Sequence, residues 1–151
     1  MSQAQQPLML LVIEDDPGDQ MLIAEAFADQ ATDPAPQLVV VSDGQQALDV
    51  LYQRGAHEGA ARPDLVLLDL NLPLIDGRAV LQHIKADEHL RSIPVVVFTT
   101  STLAEDITST YLLHANAYVA KPLDFADFTA AVQSISAFFT RTARLPGLSA
   151  A

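Results

Sequence analysis

The sequence predicts an α/β fold in one domain, a five-stranded parallel sheet wound on both faces by helices. Three observations carry this. Five apolar runs, Leu8–Ile13, Leu38–Val41, Leu65–Leu68, Val95–Phe98 and the weaker Tyr118–Ala120, are short and rich in Val, Ile and Leu, and each ends at polar or turn-forming residues. Continuous runs of that length suit strands buried on both faces. Segments of helical spacing separate them, so strand and helix alternate five times, the order that a doubly wound parallel sheet accommodates. A chain of 151 residues has room for one such domain and hardly more.

Each element has its own signals. After the first run, Asp16-Pro17 supplies a helix N-cap and a proline at the first helical position. Leu22, Ile23, Ala26 and Phe27 then share one helix face. The second run leads into Asp43-Gly44-Gln45-Gln46, which has capping-box spacing. Arg54–Arg62, RGAHEGAAR, is polar and rich in Gly and Ala, and reads as a loop. After the third run Asp76 caps a helix that carries Val80, Leu81 and Ile84. After the fourth, Thr102-Leu103-Ala104-Glu105 again has capping-box spacing. After the fifth, Asp124 precedes Phe125, Phe128, Val132, Ile135 and Phe139, a helix expected to end near Arg144. The expected organisation is a flexible start at 1–6, a domain over 7–144 and a tail over 145–151.

Composition narrows the function classes. At 50% hydrophobic and 18% charged residues, the chain has the balance of a globular core. Lys+Arg 8 against Asp+Glu 19 leaves a net charge of −11, which opposes contact with nucleic acid or an anionic membrane. The absence of cysteine removes disulfides, thiolate zinc sites and thiol nucleophiles. No apolar run approaches the roughly 20 residues of a membrane span. The opening MSQAQQPLML lacks the basic region of a signal peptide. A cytoplasmic protein is therefore expected, by elimination.

In an open parallel sheet the site forms beyond the carboxyl ends of the strands. The first run ends in Glu14-Asp15-Asp16, the third in Asp69 followed by Leu70-Asn71, the fourth in Thr99-Thr100-Ser101 and the fifth in Lys121-Pro122. The second ends in Ser42-Asp43, a helix cap. Any one strand-end aspartate is as well explained by a cap, and Asp16 beside Pro17 is read that way. Thr99 alone is an ordinary β-former, and Lys121 alone a solvated charge. Their conjunction at four strand ends argues for chemistry. Two carboxylates ~4 Å apart repel by about 4 kcal/mol at an effective dielectric near 20. A hard divalent cation relieves this, and an all-oxygen donor set suits Mg²⁺. A carboxylate beside a cation and an ammonium is also a nucleophile toward phosphorus. His57, His83, His89 and His114 share no close spacing that would suggest a histidine metal site.

The runs LLVIEDDPGD, LVLLDLNLPLIDG, IPVVVFTTST and AYVAKP, in that order from residue 8 to about 140, resemble the receiver domain of two-component response regulators. The resemblance implies a flavodoxin-like strand order, 2-1-3-4-5. It implies that Asp69 accepts a phosphoryl group from a sensor histidine kinase. Asp15 would ligate Mg²⁺ directly, Glu14 would hold it through water, and Asn71 would offer its backbone carbonyl. Thr99 would move to bind the phosphoryl group, Lys121 would pair with a phosphoryl oxygen, and Tyr118 would turn inward as Thr99 moves. Pro122 matches a proline that often follows through a cis bond. Glu14 stands where many relatives have aspartate, and the loop Arg54–Arg62 is long. That loop, TTST followed by AEDI, and the HANAY run are similar to stand-alone receivers paired with bacterial phytochromes. A phytochrome-type photoreceptor kinase is the partner thus implied. Output would come through protein contacts or onward transfer to a histidine phosphotransfer protein. A homodimer is expected through apolar groups among Tyr111, Leu112, Phe138 and Leu145.

Rival classes fit less well. An aspartyl phosphatase wants a second acid two residues after its nucleophile, where Asn71 stands. A flavin carrier needs a hydroxyl- and glycine-rich phosphate loop where Glu14-Asp15-Asp16 stands. A transcription factor needs a basic recognition helix that the acidic balance leaves no room for. The expectation is a phosphorylated signalling protein, not an enzyme.

Overall fold

The computed structural model describes residues 6–29 and 32–147, so the expectations for residues 1–5 and 148–151 lie outside the described residues. The elements run β1 (Met9–Ile13), α1 (Pro17–Ala28), β2 (Gln37–Val41), α2 (Gly44–Leu51), a 3₁₀ turn (Gly55–His57), β3 (Leu65–Leu68), α3 (Gly77–Ala86), β4 (Val95–Thr99), α4 (Ala104–Leu112), β5 (Ala117–Ala120) and α5 (Phe125–Ala137). The five strands are parallel in the order β2-β1-β3-β4-β5.

Side-chain alternation divides the sheet into two faces. Leu11, Ile13, Val66, Leu68, Val95 and Val97 join Leu48, Leu51, Val80, Leu81 and Ile84 of α2 and α3. Leu10, Val12, Leu65, Leu67, Val96 and Phe98 join Ile23 and Phe27 of α1 and Phe128, Val132 and Ile135 of α5. Each such side chain contributes about 1.5–3 kcal/mol by leaving water. β1, β3 and β4 are inner strands, which is why their runs read as continuously apolar.

Register brings the strand ends level. Ile13 lies beside both Val41 and Leu68, Leu68 beside Val97, and Thr99 beside Ala120. The residues just past these pairs therefore meet at one edge.

Four helices start as expected. Asp16, Asp43, Asp76 and Asp124 each cap backbone N–H groups of the helix that follows. In α2 the Gln46 side chain returns to the Ser42 N–H at 3.2 Å and not to that of Asp43. The expected capping box at α4 does not form, and the N-cap residue is Leu103. No side chain caps α4; Ser101 instead braces the turn before it, its hydroxyl accepting from the Leu103 N–H at 3.3 Å while donating to Asp106 in the first turn.

α5 continues into a π-helical turn, Phe138–Thr142, closed by the Ala143 N–H donating to the Phe138 carbonyl at 2.7 Å. Leu145, expected on an exposed face, is buried on the α1/α5 side of the core because the chain folds back after that turn. His114 follows α4 in the left-handed conformation, at φ 72°, which marks the helix end.

Two glycines set how closely the loops approach. A Cβ on Gly77 would lie 2.3 Å from the Asp69 carbonyl oxygen, and one on Gly44 would lie 1.9 Å from that of Ile75. Side chains are excluded at both, and α3 starts directly against the end of β3. At the opposite end of the sheet the Lys85 ammonium donates to the carbonyls of Arg91 and Ile93 and to Asn116 Oδ1, at 3.0, 2.8 and 3.0 Å.

Candidate functional site

Four strand ends place the site. The Asp69 N–H donates to the Ile13 carbonyl at 3.0 Å, which fixes the end of β3 against that of β1. The Lys121 N–H donates to the Thr99 carbonyl at 2.7 Å, which does the same for β5 against β4. Glu14, Asp69, Thr99 and Lys121 are buried, whereas Asp15 and Asn71 are exposed at the rim. Gln20 of α1 donates to the Glu14 carbonyl at 2.5 Å and to Ser42 Oγ at 3.1 Å, so the loop after β1 is tied to α1 and β2.

The Lys121 ammonium is the hub. It donates to Asp69 Oδ2 at 2.9 Å, to Asp19 Oδ2 at 2.8 Å and, by a short contact, to Glu14 Oε1. All three of its N–H donors are thus engaged. Asp69 Oδ1 accepts from the Asn71 N–H at 3.2 Å. Glu14, Asp15 and Asp69 each offer a carboxylate oxygen, and these oxygens lie within 4.8 Å of one another.

Burial pushes Glu14 up to about 7, against the pull of its Lys121 partner. Burial acts to lower Lys121, but its bonds to Asp19, Glu14 and Asp69 prevail and hold it above its usual range. Three carboxylates, Glu14, Asp19 and Asp69, contact one ammonium, and Asp15 adds a fourth negative charge beside Glu14 and Asp69. The oxygen-only donor set and this excess of negative charge fit a hard divalent cation held by Glu14, Asp15 and Asp69.

Thr99 Oγ1 is buried and has no hydrogen-bond partner among the described residues. Tyr118 is half-buried, and its hydroxyl donates to the Ser101 carbonyl at 2.8 Å. Asp106 also pairs with Arg78 of α3, so the loop after β4 is held to both neighbouring helices. The bond between Lys121 and Pro122 is not cis; the cis bond among the described residues is Asp33–Pro34. The trans form there is the intrinsically favoured isomer, by about 0.5–1 kcal/mol for an X–Pro bond.

Sequence reasoning brought Glu14, Asp15, Asp69, Thr99 and Lys121 to one edge, and the structure gathers them there. It missed Asp19. A first-turn acid three residues after an N-cap looks like an ordinary partner of the helix dipole. Its contact with Lys121 spans 102 residues of chain. Asp16 is the N-cap and lies outside the carboxylate triad.

A doubly wound sheet with a buried aspartate, an acidic pair and a lysine held together at its strand ends defines a protein built around phosphoryl chemistry. Residues 10–133 match the response regulator receiver domain, and the chain belongs to that family. Phosphorylation and Mg²⁺ binding are typical of receivers. The chain is 41% identical over 140 residues to response regulator Rcp1 of Synechocystis sp., covering 93% of this chain and 94% of that protein. It is similar to the crystal structure of the Mn²⁺-bound form of Rcp1, with a TM-score of 0.89, 40% identity and coverage of 93% of this chain and 100% of that one. It is also similar to the phosphorylated cyanobacterial phytochrome response regulator RcpA, with a TM-score of 0.90, 42% identity and coverage of 94% and 100%. Among the described residues no helix is long and apolar enough to cross a membrane.

Proposed function

We propose that Asp69 accepts a phosphoryl group from a sensor histidine kinase of the phytochrome type, and that the chain signals by the rearrangement this causes. The observation that carries the reading is the Asp69 carboxylate, 2.9 Å from the Lys121 ammonium and within the triad it forms with Glu14 and Asp15. The carboxylate attacks phosphorus, the P–N bond of the phosphohistidine breaks, and the released imidazole takes up a proton. The product is an acyl phosphate. Asp15, Asp69 and the Asn71 carbonyl would hold Mg²⁺, with Glu14 assisting through water. Bound there, the ion neutralises charge on the phosphoryl oxygens.

Lys121 keeps a donor aimed at the acceptor aspartate. Thr99 supplies a hydroxyl that has no hydrogen-bond partner among the described residues, and its movement draws Tyr118 inward. Pro122 holds the turn after Lys121. The working unit is residues 7–144 together with the buried Leu145. Output runs through protein contacts or onward transfer to a histidine phosphotransfer protein, in the cytoplasm, without nucleic acid and without turnover of a small molecule.

Exposed Tyr111, Leu112 and Phe138, on α4 and beyond α5, support a homodimer. The kinase assignment is supported by the likeness to Rcp1 and RcpA. Incubation with labelled histidine kinases should move label to the wild-type chain and leave Asp69→Asn unlabelled. Undiminished label on that variant overturns the assignment.

A further inference from the structure

Lys121 has three N–H donors and all are in use, toward Glu14, Asp69 and Asp19. A phosphoryl group on Asp69 brings new acceptor oxygens and up to one further negative charge. Lys121 can bond to one of them only by giving up a bond it already makes. The three partners differ in what their release costs. The Glu14 side chain is 3% exposed, so freeing it would strand a buried carboxylate. Acylation takes the charge from the Asp69 carboxylate, so the donor held there passes to the phosphoryl group, and a second bond to that group needs one more donor. The Asp19 side chain is 25% exposed and can return to water most cheaply.

We propose that Asp19 is a positioning residue that occupies the third donor of Lys121 until a phosphoryl group replaces it. This rests on Asp69 being the phosphoryl acceptor. Asp19 reaches the lysine because Asp16 caps α1 and Pro17-Gly18 begin it, which places Asp19 in the first turn. It keeps the ammonium anchored in the resting state. It also adds a negative charge that the phosphoryl group must displace, and so weakens retention of that group.

The test is binding of trifluoroberyllate, a phosphoryl mimic, to the full chain with Mg²⁺, followed by NMR. Asp19→Asn keeps an acceptor oxygen for Lys121 and removes the charge. Affinity should rise about five- to tenfold, the range between an exposed and a desolvated charged bond. Raising the salt should narrow the difference, since Asp19 is partly exposed. Glu25→Gln, an exposed acid on the same helix, controls for net charge and should leave affinity unchanged. Unaltered or weaker binding by Asp19→Asn overturns the proposal, as does an equal gain in Glu25→Gln. Wild type that binds no mimic, or binds it equally in Asp69→Asn, overturns the reading of Asp69 itself.

Discussion

The buried Thr99 hydroxyl has no partner among the described residues, and such a group costs about 1–3 kcal/mol. Thr99→Val removes the hydroxyl at nearly constant shape. Denaturant unfolding should show it equal to wild type or more stable, by up to about 1 kcal/mol, while the NMR response of Tyr118 to trifluoroberyllate is lost. A clear loss of stability would mean that the hydroxyl is already bonded. Glu14 carries a different signature. Its folded pKa, about 7, lies above its ordinary value, so it binds more protons folded than unfolded. That contribution to stability is complete below the ordinary carboxylate pKa and disappears as pH rises through about 7. In EDTA, wild type should lose stability across this window relative to Glu14→Gln. Saturating Mg²⁺ favours the ionised carboxylate and should flatten the difference. Parallel profiles in EDTA would contradict the assignment. Thr99 and Glu14 were legible because each comes directly after an apolar run that announces its strand. Asp19 was not, because only packing of the first helix against the last strand end creates its role.

Among the elements, α3 is the most closely constrained. Its Gly77 leaves no room for a methyl group against the Asp69 carbonyl, and its N–H donates to the Leu70 carbonyl at 3.0 Å. Gly77→Ala should destabilise by about 1–3 kcal/mol in urea unfolding, as overpacking does, despite the better helix propensity of alanine. Stability equal to wild type would mean that the loop yields freely. Sequence identified the helices whose caps are local, because an aspartate that accepts from the N–H three residues later needs no tertiary partner. It misplaced the start of α4, where Ser101 and Asp106 are engaged with Leu103, Tyr118 and Arg78. The burial of Leu145 was equally invisible, since a π-helical turn redirects the chain after Ala137.

For the whole molecule, the two core faces use up the helices α1, α2, α3 and α5 but leave Tyr111, Leu112 and Phe138 exposed. A two-fold contact would let such a patch bury against itself. Light scattering at micromolar concentration should show a dimer in the resting or phosphorylated state, weakened several-fold in affinity by Phe138→Asp. A monomer in both states removes the self-association claim and leaves the chemistry at Asp69 untouched.

The place of Lys121 at the end of an edge strand has a thermodynamic consequence. β5 has four residues, none of them fully buried, and it pairs on one side only. It is the strand best suited to sub-global opening. Opening there would carry off the one ammonium and leave Glu14, Asp19 and Asp69 facing each other, so the rest of the fold opposes the fluctuation electrostatically. Whatever binds Lys121 raises the free energy of that opening. The amide protons of β5 therefore act as a built-in gauge of site occupancy, read by hydrogen exchange in the native state without a label on the phosphoryl group.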